Sequence, residues 1–420
     1  MIGQLGDASI AAVGLANQVW FLLNLFLFGI VSGCSIFVAQ LWGKKDIDNI
    51  RRVLGLAVKL GVAAGLVFWF LGFFFPGFVL RLYTADQAVI QLGSRYLRIF
   101  GWSYVFYAIS AAYGASLRST GFVRLTLFVS IAALGLNTLL AYPLIFGLPI
   151  VGLPPLGVDG AALAGVISRI IECLVTLAVV YWRRMNPSAA SIHNLLELDF
   201  KFIAIVLKPV LPVIGNEFLW SMGVTAYSAI YAHIGTSAIA AINIISTIDQ
   251  LAFVVFLGIG SATAIMVGHL IGQGEKEKAY IYAGRSLGIQ LFGAFLMGII
   301  VYFFAGTFLQ FFNVSAEVLS EARNILIVLA FGMTVRSANH VIIIGILRSG
   351  GDTRFSFVLD GMIIWIIGVP VTAAGAFLLH LPIHLVYALT LVEEGIKFVI
   401  GTIRYFSRKW INDLANHVTA

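Results

Sequence analysis

Three carboxylates stand out from an otherwise apolar chain. Glu217, Asp249 and Asp360 each lie inside a long hydrophobic stretch, and none has a Lys or Arg within four residues on either side. An ionised side chain in such a setting is costly, so each must be protonated, hold a cation, or pair with a base on another element. Desolvation raises the pKa of a carboxylic acid, which lets an isolated acid gain and lose a proton in a working range. Two or three carboxylates with neutral oxygens also form a set of hard ligands suited to Na⁺. Glu217 lies near the centre of its stretch, next to Asn216 and downstream of Pro209 and Pro212. Those prolines free backbone carbonyls and kink a helix. No metal site is expected beyond Na⁺ at Glu217.

The other acids in apolar stretches sort by local pairing. Arg169 and Glu172 are three apart, and Glu393 and Lys397 are four apart. Both spacings make neighbours on a helix, so these pairs can neutralise themselves. Glu394, three before Lys397, can share that lysine. Glu172, Glu393 and Glu394 are therefore secondary candidates. Asp249 and Asp360 have a possible far partner in a buried base such as Arg336. Aromatic faces attract cations, so Trp20, Trp220, Tyr227 and Trp365, with Asn216, are candidates for lining a cavity. For each aromatic, packing or contact with lipid is the favoured reading.

These residues must be positioned by membrane helices. The chain has 420 residues, 60% hydrophobic and 11% charged, whereas soluble domains carry about 25% charged residues. Its mean hydropathy is +0.99. The apolar stretches run near 8–41, 52–75, 94–117, 123–147, 159–182, 202–233, 237–271, 279–305, 321–347, 355–379 and 383–406. Each approaches or exceeds the length that spans a bilayer, about 20 residues. The class is an all-α polytopic membrane protein. Basic residues such as Lys44, Lys45, Arg51, Arg118, Arg183, Arg184, Lys276, Arg348 and Arg408 concentrate in alternate breaks. That bias predicts a cytoplasmic C-terminus. The net charge of +7 is then an orientation signal; no basic, aromatic-interleaved run points to nucleic acid. Cys34 and Cys173 both lie in apolar stretches and read as small buried hydrophobes.

An internal repeat constrains the fold further. At a shift of 229, Gly6 meets Gly235, Gly29 meets Gly258, Gly43 meets Gly272 and Gly55 meets Gly284. At a shift of 230, Leu117-Arg118-Ser119-Thr120-Gly121 meets Leu347-Arg348-Ser349-Gly350-Gly351. This motif predicts a helix end with glycine as a left-handed cap and Arg at the negative end of the dipole. Such a shift covers six helices, so the repeats are parallel. Eleven of twelve helices are expected in this sequence: Met1 aligns with Ile230, and the counterpart of the stretch 202–233, roughly 30 residues, would precede it. The expected organisation is an N-terminal bundle over 1–182, a cytoplasmic linker over 183–201, a C-terminal bundle over 202–406 and a cytoplasmic tail over 407–420.

The motifs Leu5-Gly6, Ala11-Ala12, Gly29, Ala39-Gln40, Gly43-Lys44-Lys45-Asp46, Leu117-Arg118-Ser119-Thr120-Gly121, Leu144-Ile145-Phe146-Gly147, Leu347-Arg348-Ser349-Gly350-Gly351-Asp352-Thr353 and Ser407-Arg408-Lys409-Trp410 occur in an order that resembles the multidrug and toxic compound extrusion (MATE) family. The resemblance covers essentially the whole chain. It implies two six-helix bundles forming a V in a prokaryotic-type plasma membrane. It implies a monomer that exports small amphiphilic or cationic compounds by alternating access, driven by inward Na⁺ or H⁺ flow without a cofactor. Many members carry an essential acid on the helix opening the second bundle, where Glu217 lies. Others use an acid on the first helix and a polar residue on the fifth, where this sequence has Ala141. Coupling is therefore expected in the second half. The alternative from the same superfamily is a flippase for a lipid-linked oligosaccharide or other amphiphile. A pyrophosphate cavity calls for many bases, and the mid-span ones here are few: Arg169, Arg336 and Lys397. An enzyme is not indicated: no HExxH, Gly-x-Ser-x-Gly or P-loop occurs, and His233, His269 and His340 are scattered.

Overall fold

Long helices and short turns make up the protein in the computed structural model, which describes all residues except 149–151, 153, 185, 186, 198, 199, 313 and 420. Helices α1 (Asp7–Lys44), α2 (Ile47–Phe74), α3 (Pro76–Arg81), α4 (Gln87–Phe100), α5 (Ser103–Ser119), α6 (Val123–Phe146), α7 (Val158–Trp182) and α8 (Ile192–Leu196) are followed by α9 (Phe200–Ile234), α10 (Thr236–Gly272), α11 (Lys276–Leu309) and α12 (Ala316–His340). Then come α13 (Thr353–Ser356), α14 (Val369–Phe377), α15 (Ile383–Phe406) and α16 (Ala415–Thr419). No β-strand occurs among the described residues.

Two helical rods contain wide turns. α12 continues without a break as a π-helix over Val341–Arg348. α13 and α14 are one rod joined through π-helical segments at Phe357–Met362 and Ile364–Gly368. Such wide turns are rare in helices and often mark functional sites.

Among the described residues, nine helical rods are long and apolar enough to cross a membrane. The expected stretch 94–117 is broken. α4 buries Val89, Ile90, Tyr96 and Leu97 on one side and carries Gln87, Arg95 and Arg98 on the other. It ends at Gly101, whose N–H bonds Leu97 O at 2.9 Å, and α5 starts two residues later. An even count of apolar residues hid this change from a two-sided to a mostly buried helix. α15 has the length to cross, at 24 residues, but carries Glu393, Glu394, Lys397 and Arg404.

The chain divides into two compact units, residues 1–38 with 45–206 and residues 39–44 with 207–420. In the first, Leu23, Leu27, Leu97, Tyr104 and Ala162 form the core. In the second, one cluster gathers around Leu326, Leu329 and Met333 and another around Val341, Ile346 and Trp410.

The last turn of α1 counts with the second unit. Within that unit it crosses α10 at two glycines. A Cβ on Gly43 would lie 2.2 Å from the His269 carbonyl oxygen, and one on Gly272 would lie 1.9 Å from that of Gln40. The contact is reciprocal, because Gly43 and Gln40 are the repeat counterparts of Gly272 and His269. Small residues at a crossing let helix backbones touch. The fully buried Gln40 completes it: its amide donates to the carbonyls of Ser349 and Asn412 at 3.0 and 3.1 Å and accepts from Leu414 N–H at 2.7 Å.

Candidate functional site

All three acids that lack local bases find partners on other helices of the second unit. Glu217, on α9, accepts a hydrogen bond from Arg348 at 2.7 Å. Arg348 also reaches Asp360 at 3.9 Å. Asp360 accepts from Lys397 at 3.1 Å and from the Asn216 amide at 2.9 Å. Lys397 in turn pairs with Glu393, which accepts the Tyr227 hydroxyl proton. Glu217, Asp360 and Glu393 thus share two bases, Arg348 and Lys397, along one continuous chain of contacts drawn from α9, the π-helical segments Val341–Arg348 and Phe357–Met362, and α15.

The local sequence explains how these groups meet. Asn216 and Glu217 are consecutive on α9, so they approach Asp360 and Arg348 from adjacent directions; both are buried. Gly361 lets α9 come close, since a Cβ there would lie 3.2 Å from the Asn216 side-chain oxygen. Gly368 does the same for the Tyr227–Glu393 contact. The wide turns displace Arg348 and Asp360 from where an unbroken α-helix would carry them.

With every member ionised, the chain of contacts has three negative and two positive groups. Burial makes an uncompensated charge costly. The surplus carboxylate is therefore a place for a proton or a small cation.

Asp249 stands apart. Both of its oxygens accept from Arg336, at 3.1 and 3.0 Å. This is the far partner the sequence allows for it, and the pair is balanced one to one. Glu394, whose spacing allows it to share Lys397, accepts from the Asn339 amide at 2.7 Å. Glu172 pairs with Arg169 at 2.6 Å, as its spacing suggests. Glu393 pairs with Lys397, but that lysine also serves Asp360, so local neutralisation is incomplete.

The aromatic candidates separate. Tyr227 belongs to the ionic cluster, and Trp365 donates its indole N–H to Leu219 O at 2.9 Å. Trp220 is exposed. Trp20, in the first unit, packs on Tyr107 with ring centroids 4.5 Å apart, and Arg169 lies over both rings.

Sequence reasoning missed Arg348. Its motif does cap a helix, with Gly351 at φ +82° and Asp352 N–H bonding Leu347 O at 2.9 Å. The arginine itself, 2% exposed, turns inward to Glu217 instead of serving the helix dipole. Its place next to a polar turn gave no sign of this.

The first unit holds a cavity of about 250 Å³ lined by Tyr107, Ser110, Arg118, Ser130, Arg169 and Glu172, among others. Three of the lining residues correspond to members of the second unit's ionic cluster. Arg118 and Ser130 correspond to Arg348 and Asp360 at the shift of 230. Aligning the starts of α7 and α15, at 158 and 383, sets Glu172 against Lys397 and Arg169 against Glu394.

Comparison with known proteins agrees with this architecture. The family model MatE matches residues 1–143 and 212–374. A "Probable multidrug resistance protein YoeA" of Bacillus subtilis is 29% identical over 371 residues, 87% of this chain and 79% of the relative. A "Probable multidrug resistance protein NorM" of Bradyrhizobium diazoefficiens is 28% identical over 418 residues, 96% of this chain and 85% of the relative. A crystal structure of MATE in complex with MaL6 superposes with a TM-score of 0.86 at 19% identity, covering 97% of this chain and 91% of the other. A MOP superfamily transporter from Pyrococcus furiosus gives 0.86 at 18% identity, covering 100% and 90%.

Proposed function

Since the chain belongs to the MatE family of efflux transporters, we propose that it is a secondary antiporter: it exports amphiphilic or cationic compounds and is driven by inward flow of Na⁺ or H⁺. Relatives named as probable multidrug resistance proteins support that substrate class. The observation that carries the coupling step is the buried surplus of carboxylate in the chain from Glu217 to Glu393.

In this reading a proton or Na⁺ enters beside Asp360 and Glu393 and relieves the excess negative charge. The arrangement of Arg348 and Lys397 then favours one conformation of the transporter, and bound substrate favours another. The two ligands compete through that difference in free energy. Asp249, closed off by its bidentate arginine, plays a structural part. The two repeats act as the rocking bodies of alternating access. The C-terminal tail lies in the cytoplasm, as the basic breaks require.

The test is dye efflux from proteoliposomes under an imposed Na⁺ or pH gradient. Asp360→Asn removes the surplus carboxylate and leaves Glu217 with Arg348 and Glu393 with Lys397, so it is the informative variant. The expected outcome is a folded protein whose efflux no longer responds to either gradient. Gradient-driven efflux at the parent rate in that variant would reject the assignment.

A further inference from the structure

We propose that residues 410–416 are a strap that ties the last turn of α1 to the turn carrying Arg348, and that the ionic cluster sets how firmly this strap holds. All of its contacts lie within the second unit, which includes residues 39–44. Beyond α15 the chain reverses at Arg408, with φ +58°. Trp410 then anchors it: its side chain is fully buried, and its indole N–H donates to Tyr405 O at 3.0 Å. Asn412 N–H donates to Gly350 O at 2.8 Å. Two glycines let the strap lie flush on the turn. A Cβ on Gly350 has no room against the Trp410 carbonyl, and one on Gly351 would lie 2.8 Å from Leu414 Cγ.

One buried side chain of α1 holds the other edge of the strap. The Gln40 amide donates to Ser349 O and Asn412 O, and it accepts from Leu414 N–H at 2.7 Å and Ala415 N–H at 3.3 Å. A buried amide left unpaired is costly, so this side chain keeps α1, the strap and the Arg348 turn together. One turn further, Lys44 pairs with Asp413 at 3.6 Å and donates to Asn416 Oδ1. Because residues 1–38 of the same helix count with the first unit, the strap decides whether the end of α1 stays with the second.

The link to the cluster runs through consecutive residues. Arg348 sends its side chain to Glu217 at 2.7 Å, while the carbonyls of Ser349 and Gly350 accept from Gln40 and Asn412. A change of charge that lets Arg348 move therefore shifts both carbonyls and loosens the strap. The linker, which follows α7 as the tail follows α15, takes another course. It closes on α2, where a Cβ on Gly55 would lie 2.5 Å from Leu195 O, and the Ser188 and Ser116 hydroxyls share a hydrogen bond at 3.0 Å. At Gly284, the counterpart of Gly55, the Tyr405 side chain fills that place, and the tail runs to α1 instead. Release of α1 when a cation loads the cluster rests on the antiport reading; the strap and its link to Arg348 do not.

Hydrogen exchange of the full chain in phosphatidylcholine nanodiscs, read by mass spectrometry, tests this without any transport step. Its outcome is therefore independent of the efflux assay. Gln40→Ala should speed exchange in residues 410–416 about tenfold, through loss of two hydrogen bonds from their amides. Leu414→Pro deletes an N–H that Gln40 accepts without touching a long helix. It should speed exchange in the rest of the segment similarly, and it serves where Gln40→Ala fails to fold. Glu217→Gln, remote in sequence on α9, should also speed exchange in 410–416 while leaving the linker residues 187–196 at the parent rate. Asp249→Asn, in the pair set apart from the cluster, should leave 410–416 unchanged. Parent-like exchange of 410–416 in Gln40→Ala or Leu414→Pro would show that Gln40 holds no strap. Parent-like exchange in Glu217→Gln, or equal acceleration in Asp249→Asn, would show that the cluster does not govern it. Either result overturns the proposal.

Discussion

The cavity of the first unit and the ionic cluster of the second share part of the register of one repeat, yet the charge changes sign at two positions on their last helices. Arg348 is buried against Glu217 and near Asp360; Arg118 faces an open space. Lys397 on α15 answers to Glu172 on α7, and Glu394 answers to Arg169. The scaffold residues, by contrast, agree: Gly121 and Gly351 both cap their helices at positive φ. A repeat thus preserves backbone geometry through its glycines while the polar positions diverge. The backbone has few solutions for a tight turn, whereas the charge at a lined position changes with one substitution.

The comparison breaks most sharply at the two arginines. Arg348→Gln leaves Glu217 without its base in a buried setting, and such losses cost about 3–5 kcal/mol. Arg118→Gln removes an exposed charge and should stay within about 0.5 kcal/mol. Thermal unfolding in detergent checks both. Equal destabilisation would mean that Arg118 is also paired in the folded protein, and the contrast between the units would collapse.

The glycine crossing tests the opposite expectation, that the repeats agree. Gly43→Ala and Gly272→Ala each press a methyl group into a carbonyl oxygen of the facing helix. Each should cost a similar amount, about 1–3 kcal/mol, as overpacking does. The same unfolding assay applies, and a large difference between the two would show that the contact is not reciprocal in energy.

The smallest effect belongs to Glu172. Its partner Arg169 is partly exposed, with 34% of its side chain accessible. Glu172→Gln should therefore cost only about 0.5–1 kcal/mol. Thermal unfolding in detergent checks it, and a loss of about 3 kcal/mol or more would show that this pair is worth as much as a fully buried one.

Much of the fold was legible because bilayer length and helical period act locally. The ends of α7, α10 and α15 lie within a few residues of the hydropathy boundaries. The split between α4 and α5 escaped because apolar content stays high across Gly101 while its distribution around the helix changes. At the site, Glu217, Asp249 and Asp360 stood out because a carboxylate without a local base is costly in an apolar helix. Asp360 and Asp249 nonetheless differ in kind, one in an unbalanced chain and one in a closed pair. Nothing within four residues of either distinguishes them.

By itself, then, the amino-acid sequence determined the helices and their parallel repeat, because both follow from hydropathy, spacing and glycine positions read along the chain, and the order of its motifs carried the resemblance to the family. The tertiary structure alone decided which base meets which acid. Arg348 and Glu217 are 131 residues apart, and only the wide turns ahead of Arg348 and around Asp360, with the close approach of α9 at Gly361, bring them within reach. Electrostatic energy depends on distances across helices, and those are set by packing rather than by neighbours in sequence.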